Sequence, residues 1–199
     1  MTRGPRIVML LAGTAAAMVL IASRADGRDF ARPADPNAVL QTFHERVETY
    51  AALRRRVVRL AETLAPGDQL ARFERERYVA AAIRAARCDA QQGAIFTHDI
   101  EAWFRQLVAD SIGERDGEAF LAELGQGAVV PRGLHPTVNE PYSMTHVFRL
   151  PAEVRLGLPL LPAELDYRVA ARDLLLWDVA AGIVVDFVPD AFTTRTVTE

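Results

Sequence analysis

The sequence predicts an α+β fold, an N-terminal helical hairpin plus two shorter helices packed on a C-terminal three-stranded antiparallel β-meander. Three observations predict it. Apolar residues recur every three or four positions from Pro36 to about Ile112, the period of helices with one buried face. Residues 165–188 are rich in β-branched and aromatic residues and are broken by two small-residue turns. A small sheet needs a covering layer, and the helices carry matching apolar stripes. The composition suits a single domain: 199 residues, half of them hydrophobic and a quarter charged. A formal charge of −3 speaks against a general nucleic-acid binder. A single Cys excludes an internal disulfide and a Cys-based zinc site.

The first 25 residues have the layout of a signal peptide. Arg3 and Arg6 precede an uncharged apolar run of 16 residues, 7–22, and Ser23 and Ala25 are suitably small for cleavage after Ala25. A 16-residue helix is about 24 Å long, short of the ~30 Å hydrocarbon core of a bilayer. The expected location is therefore periplasmic or secreted, with no stable membrane span after cleavage. The alternative is an uncleaved inner-membrane anchor formed by residues 7–22. Residues 26–36, with two Pro, one Gly and mixed charge, read as a linker, leaving 37–199 as one domain.

Within that domain the first helix is expected at about 37–65. Leu40, Phe43, Val47, Tyr50, Val57, Ala61 and Leu64 form its stripe, and Leu53, Val58 and Leu60 widen it. Arg54 occupies the one polar slot. Pro66-Gly67 ends this helix, and Asp68 is placed to cap a second at about 69–87. Thr97 opens a third helix, 98–112, with Ile100, Trp103, Phe104, Leu107, Val108 and Ile112 on one face and Gly113 beyond its end. A short fourth helix follows at about 117–124. Six prolines punctuate residues 126–164, which read as an irregular packed connection with at most one helical turn near 152–157.

Strands are expected at about 165–170, 174–179 and 183–188. Alternation sets their register if one face is buried. Three-residue loops at both turns place Tyr167, Val169, Leu175, Trp177, Val185 and Phe187 on the covered face. Asp166, Arg168, Asp178 and Asp186 then fall on the other. A two-residue first loop would set Asp166 and Arg168 beside Trp177, which is costly if they are buried.

The run Leu158-Pro159-Leu160-Leu161-Pro162-Ala163-Glu164-Leu165-Asp166-Tyr167-Arg168, with Arg172-Asp173-Leu174-Leu175-Leu176-Trp177-Asp178 and Ile183-Val184-Val185-Asp186-Phe187, resembles the C-terminal region of an uncharacterised family of secreted bacterial proteins. Members of that family often have Gly where Ala171 stands. The resemblance implies export and carries no catalytic residue across.

Candidates for chemistry are few. His135, Glu140 and His146 share the irregular segment and have ligand-type side chains, yet none forms a metal-binding pair at helical spacing. The strand carboxylates suit an ion-pair face better than a calcium loop. No Ser lies in a nucleophile elbow and there is no Gly-rich phosphate loop, so no catalytic residue, metal site or cofactor is implied. Cys88 is expected to be buried and inert. The charge, however, is uneven. Residues 54–87 hold nine Arg against four acids, net +5, whereas residues 88–199 hold eight Arg against 17 acids, net −9. Arg54, Arg55, Arg56 and Arg59 cluster near the end of the first helix. They suggest either an anion-facing patch for an envelope or protein partner, or a solvated face paired internally with acids such as Glu48. The leading expectation is an exported, non-enzymatic binding or interaction module. The alternative is a small hydrolase or metal-dependent enzyme using residues 126–164.

Overall fold

The computed structural model describes residues 35–64, 69–113, 115–124, 135–142 and 146–192. The signal segment, most of the linker, Pro66-Gly67, the Asp68 cap and Ser143 lie outside them. The described residues form five helices and four strands: α1 (Pro36–Leu64), α2 (Gln69–Ala86), α3 (His98–Ile112), α4 (Gly117–Glu123), β1 (Phe148–Arg149), α5 (Ala152–Leu156), β2 (Leu165–Ala170), β3 (Asp173–Asp178) and β4 (Ile183–Val188). The fold is α+β.

Local chemistry explains most helix limits. The Asp35 carboxylate accepts the Asn37 N–H at 3.0 Å, and Pro36 takes the first helical position, where its missing N–H costs nothing. Thr97 occupies the N-cap of α3, but its side chain makes no capping bond; Asp99 and Glu101 in the first turn meet the positive end of the dipole instead. Gly113, at φ 66°, closes α3 with its N–H on the Ala109 carbonyl. On α1, Phe43, Val47, Tyr50, Val57 and Ala61 are buried as the stripe requires. Leu60 does not join it and is 52% exposed.

The sheet departs from the expected meander in three ways. It has four strands in the order β1-β2-β3-β4, because Phe148 and Arg149 pair antiparallel with Val169 and Arg168. The β2–β3 loop has two residues, not three: Val169 faces Leu174, Tyr167 faces Leu176 and Asp166 faces Trp177. Ala171, the first loop residue, has φ 54°, the sign a two-residue II′-type turn needs there, where Gly is favoured. The β3–β4 loop has four residues, 179–182, and ends on Gly182 at φ 65°. Leu175 faces Phe187 as expected, but Trp177 faces Val184, because Val185 bulges between the pairs Trp177–Val184 and Leu176–Asp186.

A one-residue change of register turns every side chain over. Trp177 therefore leaves Tyr167 and the helices. Tyr167, Val169, Leu174, Leu176, Val185 and Val188 join Phe43, Phe96 and Phe104 in the main core. Three of these rings meet closely, with Phe43–Phe104 centroids at 4.8 Å and Phe96–Phe104 at 4.9 Å. Trp177, Leu175, Val184 and Phe187 face the other way, into a second core closed by Val138, Val147 and Tyr142. The one-face assumption failed because the irregular segment covers the second face. Asn139 donates to the Val184 carbonyl at 2.7 Å and Val184 donates back to Glu140 at 3.1 Å, which fastens that cover to the edge of β4.

Candidate functional site

The strand acids do not share a solvent face. Asp178 and Asp186 project from the helix side of the sheet and are both 0% exposed, whereas Asp166 and Arg168 pair at 2.9 Å on the Trp177 side. Asp178 and Asp186 lie opposite Trp177 as expected, but under the helices instead of in solvent, while Asp166 and Arg168, expected with them, share the Trp177 side. Burying a carboxylate is costly unless donors surround it, and here they do. Asp178 Oδ2 accepts the Tyr50 hydroxyl at 2.8 Å and Arg54 Nε at 2.7 Å, while Oδ1 accepts the N–H groups of Ala180 and Ala181. The polar slot in the α1 stripe is thus the partner of a sheet carboxylate. Burial, and then the Asp178 charge, push the Tyr50 phenol far above its ordinary pKa, so it stays a donor.

Asp186 is held by backbone alone. Oδ2 accepts the N–H of Ile95 at 2.6 Å and of Phe96 at 2.8 Å; Oδ1 accepts those of Gly93 at 3.1 Å and Phe187 at 2.9 Å. Gly93 at φ 90° lets the loop before α3 turn these groups inward. Burial outweighs the four donors and raises the carboxyl pKa.

Asp173, 1% exposed, accepts the Asp190 N–H at 2.8 Å and sits 2.8 Å from His135 Nδ1. The His135 ring lies flat against Phe187, 6.0 Å between centroids. His135 is raised above its ordinary pKa by the hydrogen bond to Asp173, against burial and with help from the Asp173 and Asp190 charges. Asp173 is raised by burial, which outweighs His135 and the Asp190 amide. Both groups therefore hold protons more tightly folded than unfolded. The His135 contribution is full below pH ~6.5 and is lost as pH rises through its raised folded pKa. Folding stability is expected to rise as pH falls from 8 to 6, by about 0.5 kcal/mol, a small value because the imidazole is exposed to solvent. Urea midpoints across that range check it, and His135→Gln should flatten the slope.

His135, Glu140 and His146 are not gathered. Glu140 lies 3.7 Å from Arg84, and among the described residues no three His, Cys, Asp or Glu side chains are placed to hold a metal ion. Cys88 is exposed, not buried.

The four candidate arginines also separate, because neighbours on a helix point about 100° apart. Arg54 turns inward to Asp178 and Arg55 pairs with Glu48. Arg56 and Arg59 are exposed. Arg56 lines a groove of about 830 Å³ between α1 and the chain from Ala86 to Ile95. Arg46, Thr49, Tyr50, Ala52 and Leu53 complete the α1 wall; Arg87, Ala90 and Ala94 stand opposite. Among the described residues no acidic side chain lines it.

The hydrogen-bond partners of Arg46 and Arg87 are neutral, although the buried Asp186 carboxylate lies close enough to act on the Arg87 charge. Arg46 donates to the Ala94 carbonyl at 2.8 Å. Arg87 donates to Asn139 Oδ1 at 2.8 Å and the Val185 carbonyl at 3.1 Å, and its guanidinium lies 5.0 Å from the centre of the Tyr50 ring. Partial burial lowers the Arg87 pKa from its very high ordinary value. Arg56 has no ion pair among the described residues. The run of consecutive arginines drew attention to residues 54–59 and missed Arg46 and Arg87. The stripe Arg46, Thr49, Tyr50, Leu53, Arg56, at three- and four-residue spacing, is the sequence signal for this wall.

Among the described residues no helix is long and apolar enough to cross a membrane. Compared with known proteins, the chain matches no family model, no curated protein and no solved structure.

Proposed function

We propose that the protein is an exported, non-enzymatic binding module that holds an anionic ligand or partner in the groove between α1 and residues 86–95. The observation that carries this reading is the groove itself, a concavity lined by Arg46, Arg56 and Arg87 and, among the described residues, by no carboxylate. Arginine's planar fork suits carboxylate and phosphate oxygens, and the volume is in the range of ligand sites. Export rests on the charged leader, the apolar run 7–22 and the Ser23-Arg24-Ala25 site. It accords with the resemblance to secreted bacterial proteins.

Cosedimentation with phosphatidylglycerol vesicles tests the binding. Arg46→Glu with Arg56→Glu should weaken it at least tenfold, and raising the salt from 0.05 to 0.5 M should weaken wild type. Arg55→Glu with Arg59→Glu, outside the groove, should change it by less than threefold. Equal retention of all three proteins at both salts overturns the reading. N-terminal sequencing of protein from an exporting host should begin at Asp26; a chain that keeps residues 1–25 favours the inner-membrane anchor.

One observation favours the second reading, a small hydrolase. A buried carboxylate on Nδ1 is how an imidazole base is oriented in acyl-transfer enzymes. No Ser, Thr or Cys side chain is hydrogen-bonded to that ring among the described residues. Ester turnover lost in His135→Gln would promote this reading.

A further inference from the structure

Resting on the anion-binding reading of the same groove, we infer that its ligand is an amphiphile with an anionic head and an apolar body, such as a fatty acid or an alkyl phosphate. The argument is an account of donors. The Tyr50 hydroxyl is committed to Asp178, and the Thr49 hydroxyl donates to the Glu45 carbonyl at 2.8 Å. Arg87 has both terminal nitrogens on Asn139 and Val185, and Arg46 has one on Ala94. The Ala90 N–H is on the Arg87 carbonyl and the Ala94 N–H on the Gln91 carbonyl. Arg56 keeps its whole fork and receives the head group, while Arg46, with one N–H on Ala94, and Arg87 add positive charge along the wall.

The rest of the wall is mostly apolar. Ala52, Leu53, Ala86, Ala90, Ala94 and Ile95 present methyl and methylene surface along a groove of about 830 Å³, far more room than a carboxylate or phosphate fills. A polar body lying there would lose its water and gain no partner. An alkyl body gains from burial, at about 0.8 kcal/mol per methylene, or up to about fourfold in affinity for each one covered.

Calorimetric titration of the full chain recovered from its exporting host tests this, with acetate, inorganic phosphate, octanoate, decanoate, dodecanoate and decanol as probes below their micelle thresholds. The expected result is affinity rising two- to fourfold per methylene from octanoate to dodecanoate, with acetate, phosphate and decanol at least tenfold weaker than decanoate. Arg56→Glu should remove decanoate binding. Ala52→Glu, at an exposed helical position, should remove the chain-length dependence, while Arg59→Glu should change neither. Circular dichroism establishes that the variants keep their helices. If phosphate binds as tightly as decanoate and chain length has no effect, the amphiphile inference falls and the anion-binding reading stands. If neither the carboxylates nor phosphate bind, both fall. Chain-length dependence that Arg56→Glu and Ala52→Glu leave unchanged also overturns the inference, because the binding then lies elsewhere.

Discussion

Replacing Asp186 by alanine is expected to destabilise the protein by about 3–4 kcal/mol, among the largest effects of any single polar substitution in this fold. The carboxylate accepts four backbone N–H groups, and Ile95 and Phe96 are buried. A buried donor without a partner costs about 1–3 kcal/mol. The side chain also ties the loop before α3 to the centre of β4, so Phe96 and its contacts with Phe43 and Phe104 loosen with it. Part of the loss is returned because a charge already disfavoured by burial is removed. Asp186→Asn should cost less, since one oxygen still accepts, although its amide NH₂ then opposes a backbone N–H. Urea denaturation of both variants measures this. A loss under 1 kcal/mol for Asp186→Ala would mean the loop holds its place without the carboxylate.

Trp177→Ala is expected to cost about 3–5 kcal/mol, the usual range for a large core aromatic. Trp177 is 1% exposed and centres the second core with Val138, Val147, Leu175, Val184 and Phe187. Its removal empties the space between β3 and the covering segment, so the damage should be local to that face. Hydrogen exchange separates this from damage to the helix side. The Asn139 amide, bonded to the Val184 carbonyl, should exchange at least tenfold faster relative to the amides of α3 than in wild type. An equal acceleration in α3 would instead place Trp177 among the helices, as alternation on a single covered face predicts.

The difference between these two placements shows where sequence reasoning reached its limit. The uninterrupted run Leu174-Leu175-Leu176-Trp177 is what a strand buried on both faces looks like. The single-face reading instead places Asp166, Arg168, Asp178 and Asp186 on an uncovered face, because charges are costly to bury. Their cost depends on donors supplied from far along the chain. Tyr50 and Arg54 lie more than 120 positions before Asp178, and Ile95 and Phe96 about 90 before Asp186. No local pattern reveals such partners.

What the sequence determined alone is therefore what local physics controls. Helical periodicity, the proline at the start of α1, Gly113 after α3 and the strand-like composition of residues 165–188 set the elements and the α+β class, since each depends on residues a few positions apart. Tertiary structure decided the rest. It set the two-residue turn at Ala171, the bulge at Val185, the second core and the inward turn of Asp178 and Asp186. It also moved the basic site away from the run of arginines, because a helix spreads consecutive residues around its axis while packing brings Arg46, Arg56 and Arg87 to one groove. Register and site geometry rest on contacts between distant segments, whose free energy exists only once the chain has brought them together.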